Sequence, residues 1–138
     1  MWASVNYLAV LVSAVASMVI GSIWYGPLFG KKFMAAMGMD KWTPEQQAAE
    51  KKKMGVTYFV QFVASLVMFY VLAGIIVGFD KTSLSGGMVS AFVMWLGFVV
   101  PLKLGDAIWG GKMTLFWLGS FNMLFTLLAA GAIIGVWR

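Results

Sequence analysis

The sequence predicts an all-α membrane protein: four transmembrane helices arranged as two tandem helical hairpins in parallel repeat. Three observations predict it. Of 138 residues, 62% are hydrophobic and only 11% charged, and a soluble domain of this size has too little interior to hide that much apolar surface. The charges fall between long uncharged runs, Met1 to Gly30, Met54 to Phe79, Thr82 to Leu102 and Met113 to Trp137, each meeting the roughly 20 residues a helix needs to cross about 30 Å of hydrocarbon. Two of these runs also repeat each other at a constant offset.

Inside hydrocarbon the backbone must satisfy its own hydrogen bonds, so each run is read as a helix. The expected spans are residues 4–28, 55–79, 83–102 and 113–136 of a single transmembrane domain, with a loop at 31–53. The first run lacks the basic start of a cleaved signal peptide and outlasts its apolar stretch of about 7–15 residues. It closes on Trp24-Tyr25-Gly26-Pro27, an interfacial anchor followed by a helix stop. Within the first loop, Phe33, Met34 and Met37 offer an apolar face to the bilayer while Lys31 and Lys32 reach headgroups. Thr43-Pro44-Glu45-Gln46 then reads as a helix start: threonine caps, proline takes the first helical position, and Gln46 completes a capping box. That helix is expected to run through Gln47–Lys53 into the second span.

Eight of the ten basic residues fall in the first and third loops, with only Lys81 and Arg138 on the other side. The positive-inside tendency makes those loops cytoplasmic, leaves both termini outside, and places the chain in the cytoplasmic membrane. Lys31, Lys32, Lys51, Lys52 and Lys53 are then the expected contacts to anionic headgroups. Trp24 and Trp117 near one face, with Trp2 and Trp137 near the other, fit interfacial belts. Trp95 lies too deep for a belt and is expected between helices. The pI near 9.6 is otherwise a nucleic-acid signal, but no basic soluble segment accompanies it.

Thr57-Tyr58-Phe59 matches Thr114-Leu115-Phe116, and with the same offset Ala73-Gly74-Ile75-Ile76-Val77-Gly78 matches Ala130-Gly131-Ala132-Ile133-Ile134-Gly135. The first and third spans echo more weakly, each ending Pro-Leu before lysines. Copies with the same orientation are related by an axis along the membrane normal. In lipid, close backbone approach replaces the hydrophobic effect as the main glue between helices. The small-residue ladder Ala9, Ser13, Ser17, Gly21, the pairs Gly74/Gly78 and Gly131/Gly135, and Gly87/Ala91 are therefore the expected packing surfaces, with a face to spare for a homo-oligomer.

Polar residues at span depth point to any function. Gln61 and Ser65 lie on one face of the second span, and Asn122 and Thr126 on the fourth. They serve either as packing glue or as contacts to a solute in a cavity. Asn6 is assigned to interfacial water, and Lys103 is expected to snorkel and pair with Asp106. Cysteine and histidine are absent, which removes thiol chemistry and the usual zinc, haem and iron–sulfur ligands. No ionisable group lies deep in a span, which argues against a proton relay or voltage sensor. No cofactor, metal or catalytic residue is expected.

Several blocks carry a family resemblance: Trp24-Tyr25-Gly26-Pro27-Leu28-Phe29-Gly30-Lys31, then Phe33-Met34 and Gly38, then Trp95-Leu96-Gly97-Phe98-Val99-Val100-Pro101, the Asn122 region, and the Gly135-Val136-Trp137-Arg138 ending. With these the chain resembles the small integral membrane proteins catalogued as domain of unknown function seventeen sixty-one. It departs at Met123-Leu124, where the family pattern has Gly-Tyr. The resemblance implies a membrane location and brings no catalytic or binding residue. The function expected is that of a non-enzymatic four-helix bundle, an oligomeric scaffold or accessory protein in the lipid bilayer. The alternative is a small uncoupled channel or carrier.

Overall fold

The computed structural model describes residues 5–38 and 41–137, and its regular structure is entirely helical. Helix α1 spans Tyr7–Ile23 and passes into a π-helical segment, Trp24–Leu28. The short α2 is Gly30–Met37, and α3 is Pro44–Gly78. Helix α4, Leu84–Met94, runs through a second π-helical segment, Trp95–Val99, into α5, Val100–Gly110; α6 is Met113–Val136. Four continuous rods, Tyr7–Leu28, Pro44–Gly78, Leu84–Gly110 and Met113–Val136, are long and apolar enough to cross a membrane. Their outer surface agrees with that: Phe59, Phe98, Leu102, Val56 and Trp109 all stand exposed, far beyond the apolar patches a soluble monomer tolerates. Trp2 and Arg138 lie outside the described residues.

Local signals set most helix ends. Asn6 caps α1 by accepting from the Leu8 and Ala9 amides at 3.1 and 3.2 Å. Its amide also donates to the Trp137 carbonyl at 3.2 Å, so Asn6 ties the start of α1 to the end of α6 rather than serving interfacial water. Thr43 and Gln46 form the expected reciprocal capping box, at 3.0 and 3.2 Å. From there α3 continues unbroken for 35 residues, about 52 Å at 1.5 Å per residue, and carries Lys51–Lys53 on the same rod as the second span. At its other end Asp80 adopts a left-handed φ of 56°. The Asp80 and Lys81 amides there bond back to Val77 and Ile76, closing the carbonyls of the last turn in the manner usually reserved for glycine.

The third rod does not stop where its uncharged run does. It continues past Lys103 and Asp106 to Gly110, and Gly111, at φ 70°, turns the chain into α6. A charge marks the end of hydrocarbon and not the end of a helix. Both π segments sit beside a proline. Pro27 lies within the first, and Pro101 follows the second by two residues; in a regular α-helix each ring would clash with the carbonyl four residues back. Widening the helix by one residue relieves that clash.

Helix α6 is central, packing most extensively on α4 and next on α1. The α4–α6 crossing is built on glycine. A Cβ on Gly87 would strike the Gly131 carbonyl, and one on Gly131 would strike the Gly87 carbonyl and come within 2.9 Å of the Ala91 methyl. On Gly135 it would strike the Ser83 carbonyl. Above and beside this crossing lies the main core: Val5, Ala9, Val10 and Ala14 of the first rod, Phe69, Leu72, Ala73 and Ile76 of α3, and Leu127, Ala130 and Ile134 of α6. All of these lie in the half of the molecule that carries the termini. In the lysine-rich half α3 leaves its neighbours, and residues 44–61 are exposed throughout.

Two tryptophans brace α6 where that divergence begins. Trp24 donates its indole N–H to the Leu118 carbonyl at 3.0 Å, and Trp95 to the Ser120 carbonyl at 2.6 Å. Trp95 thus lies between helices as its depth suggested. Trp24 does so too, packed on Phe29 and Phe125 with ring centroids at 4.6 and 5.6 Å, and its indole is directed at a backbone carbonyl instead of a headgroup.

Candidate functional site

The divergence of α3 from α1 and α6 leaves a cavity of about 630 Å³ in the lysine-rich half, within the range of small-molecule sites. Ser17, Gly21 and Tyr25 contribute from the first rod; Thr57, Gln61 and Ser65 from α3; Gly119, Asn122 and Thr126 from α6; and Lys103 from α5. It ends against Phe69, which is fully buried in the core. The cavity is blind at that end. At the other end Tyr25 and Phe33 pack against each other beside it, with ring centroids 4.7 Å apart and planes tilted by 58°.

The periodicity of α3 and α6 explains which side chains arrive. Thr57, Gln61 and Ser65 lie one turn apart on one stripe, as do Gly119, Asn122 and Thr126 at spacings of three and four. The structure brings the four polar residues Gln61 and Ser65 of α3 and Asn122 and Thr126 of α6 into the lining of one cavity. Their hydrogen bonding differs. Ser65 is buried and donates to the Gln61 carbonyl at 2.9 Å, its own preceding turn. Gln61 is exposed toward the open end. Thr126 is only 5% exposed, and neither its Oγ1 nor the Oδ1 of half-buried Asn122 has a hydrogen-bond partner. Buried oxygens left without partners cost about 1–3 kcal/mol each. Ser13 Oγ and Ser120 Oγ, buried away from the cavity, are unpartnered as well; Asn122 and Thr126 differ from them in lining an open space.

Three lining residues come from outside the polar stripe read in the sequence. Ser17 and Gly21 belong to the small-residue ladder of the first span, yet they face the cavity. A Cβ on Gly21 would meet nothing within 4 Å, and Ser17 donates back to the Ala14 carbonyl at 2.6 Å. Lys103 is the third. Its stem lies across α6 at Gly119, with Cδ, Cε and Nζ 3.9, 3.8 and 3.6 Å from where a Cβ on that glycine would stand. It forms no ion pair with Asp106, which is exposed. The apolar run Ala107-Ile108-Trp109 was the available signal that the helix continues past Lys103 and carries it beside α6.

The other expected packing residues separate by half. Ser13 is buried at 1% exposure, and Gly74, Gly131 and Gly135 are buried as well, whereas Gly78 is exposed at the end of α3. Lys31 and Lys32 stand exposed at the start of α2, and Lys51, Lys52 and Lys53 on α3 below the cavity.

A family model described as "Protein of unknown function (DUF1761)" matches residues 8–135. The chain belongs to the DUF1761 family. The match takes in both π segments and every lining residue named above, so the cavity lies wholly within the family's region of this DUF1761 chain. Neither the curated proteins nor the solved structures contain a match.

Proposed function

We propose that this DUF1761 protein is a non-enzymatic, multi-pass protein of the cytoplasmic membrane that binds a small solute in a one-sided cavity open toward the cytoplasm. One observation carries the reading: the Thr126 hydroxyl and Asn122 amide oxygens are unpartnered on the wall of a 630 Å³ space. Of the four unpartnered buried oxygens among the described residues, those of Ser13 and Ser120 lie away from the cavity, and those of Asn122 and Thr126 alone stand where a ligand or water would satisfy them. Closure against Phe69 favours a binding protein or carrier over an open pore. The basic end faces the cytoplasm on the strength of its lysines. Single cysteines replacing Lys41 and Lys81 test this, the first protected from an impermeant external reagent and the second labelled.

The function itself is tested by uptake of radiolabelled acetate, phosphate and glycerol into liposomes. The expected result is uptake of at least one above empty vesicles, abolished by Asn122→Leu and Gln61→Leu. Equal leakage from empty, wild-type and variant vesicles would count against it.

Tandem duplication of the hairpins is part of the proposal. Besides the repeated residues of α3 and α6, it is supported by the two π segments. Each opens Trp-x-Gly, and each directs its indole at an α6 carbonyl one residue from Gly119, on either side of it. Self-association has less support than the sequence suggested. Ser13, Gly74, Gly131 and Gly135 are buried within one chain, and Ser17 and Gly21 face the cavity. A mass measurement in detergent reads the oligomeric state directly.

A further inference from the structure

The wall of the cavity is graded along its length. At the mouth stand Lys103, Thr57 and Gln61; one turn deeper are Ser65 and Asn122; at the blind end Met68, Phe69 and Met123 surround Thr126. Lys103 is the single charged residue among the described lining residues, and no carboxylate faces it across the cavity. The nearby acid, Asp106, lines a separate space of about 180 Å³ with Lys103 and Lys112, and makes no ion pair there. The Lys103 side chain is half-buried, and its ammonium has no counter-charge within the cavity. An anion brought from outside the chain would supply one.

Thr126 supplies the independent observation. Its oxygen is buried and unpartnered, and it lies seven residues from Gly119 along α6, about 10 Å beyond the Lys103 ammonium at 1.5 Å per residue. Met68 and Met123 give the deep part beside Thr126 an adaptable apolar wall of the kind that accepts flexible chains. Resting on the cavity reading above, we infer that the ligand is an elongated organic anion. A carboxylate or phosphate sits on Lys103, an apolar segment runs past Asn122 toward Met68 and Met123, and a hydroxyl or amine at the far end donates to Thr126 Oγ1. Eight of the ten basic residues lie in the sequence segments at the mouth end, which favours the approach of anions from that side.

Four probes with one six-carbon backbone, short enough to meet both ends of the site, separate the elements: 6-hydroxyhexanoate, hexanoate, 1,6-hexanediol and hexyltrimethylammonium. Equilibrium binding is measured on the full chain in phosphatidylcholine nanodiscs, corrected with empty nanodiscs. The expected order is 6-hydroxyhexanoate first, hexanoate second, the diol third and the cation last. Lys103→Met should cut binding of both acids about tenfold, a change of 1.4 kcal/mol, and leave the diol unchanged. Thr126→Val should cancel the advantage of 6-hydroxyhexanoate over hexanoate without touching hexanoate itself. Monodisperse elution of each variant controls for folding.

If Lys103→Met binds the acids as wild type does, or if the cation binds as well as the acids, the inference is overturned. Should the diol equal 6-hydroxyhexanoate, with both lost in Asn122→Leu, the anion is overturned while the cavity reading stands. Absence of binding by all four overturns the inference and leaves the cavity reading to its own uptake measurement. Tighter binding of free inorganic phosphate than of any six-carbon probe would assign the site to a small anion and overturn the elongated ligand.

Discussion

The two halves of the molecule are made from the same rods and behave differently. In the half that carries the termini, glycines let α4 and α6 touch backbone to backbone, and Phe69, Leu72 and Ile76 hold α3 in the core. In the lysine-rich half α3 carries no such residues toward α6. It stands away, and the space left between them keeps polar groups without partners. Lipid does not drive helices together as water does, so contact forms only where shape permits close approach. Small residues close one half where α4 and α6 cross; in the other half small residues such as Ser17, Gly21 and Gly119 face a space that α3 does not fill.

Breaking the closed half should have the largest effect. Gly131→Leu places a side chain where the Gly87 carbonyl and Ala91 methyl already stand, and overpacking against backbone is expected to cost about 3 kcal/mol or more. Detergent-solubilised protein should lose its cooperative thermal transition. Phe69→Ala comes next. In lipid the transfer part of a large-to-small substitution largely drops out and the lost packing remains, so a cost of about 2 kcal/mol is expected in equilibrium unfolding. The cavity should at the same time extend into the core.

The brace between the halves is smaller in effect. Trp95→Phe keeps the ring and removes the 2.6 Å bond to the Ser120 carbonyl, which should lower stability by about 1 kcal/mol. Thr126→Val sharpens the comparison most at the least energetic cost. It removes a buried oxygen that has no partner, so stability should stay within about 0.5 kcal/mol of wild type or rise, measured by the same unfolding assay. A loss of more than that would show Thr126 to be structural glue after all.

The parts legible in the sequence are those fixed locally. Uncharged runs locate the rods because desolvating a charge is costly wherever it occurs, and the Thr43–Gln46 box is written in four consecutive residues. Gln61, Ser65, Asn122 and Thr126 were visible because polar groups are rare at such depth. The rest depends on which face of an apolar helix meets which neighbour, and a helix apolar all round carries no stripe that says so. Ser17 and Gly21 look identical in kind to Ser13 and Gly131, yet the first pair faces open space and the second a packed helix. The place of Lys103 is hidden for a related reason: the uncharged run ends at Leu102, but the helix continues to Gly110. Trp24 looked like a belt residue because its carbonyl partner, Leu118, lies 94 positions away.

Ser13 and Ser17 give the most direct test, since they share chemistry and helix and differ by one turn. The chain has no native cysteine, so Ser13→Cys and Ser17→Cys each provide one thiol, whose reaction with a charged thiosulfonate in lipid requires water to ionise it. If the lysine-rich half holds an open, hydrated cavity, Ser17→Cys should react about tenfold faster or more than Ser13→Cys. Equal protection of the two thiols would mean that both halves are sealed, and would contradict the account.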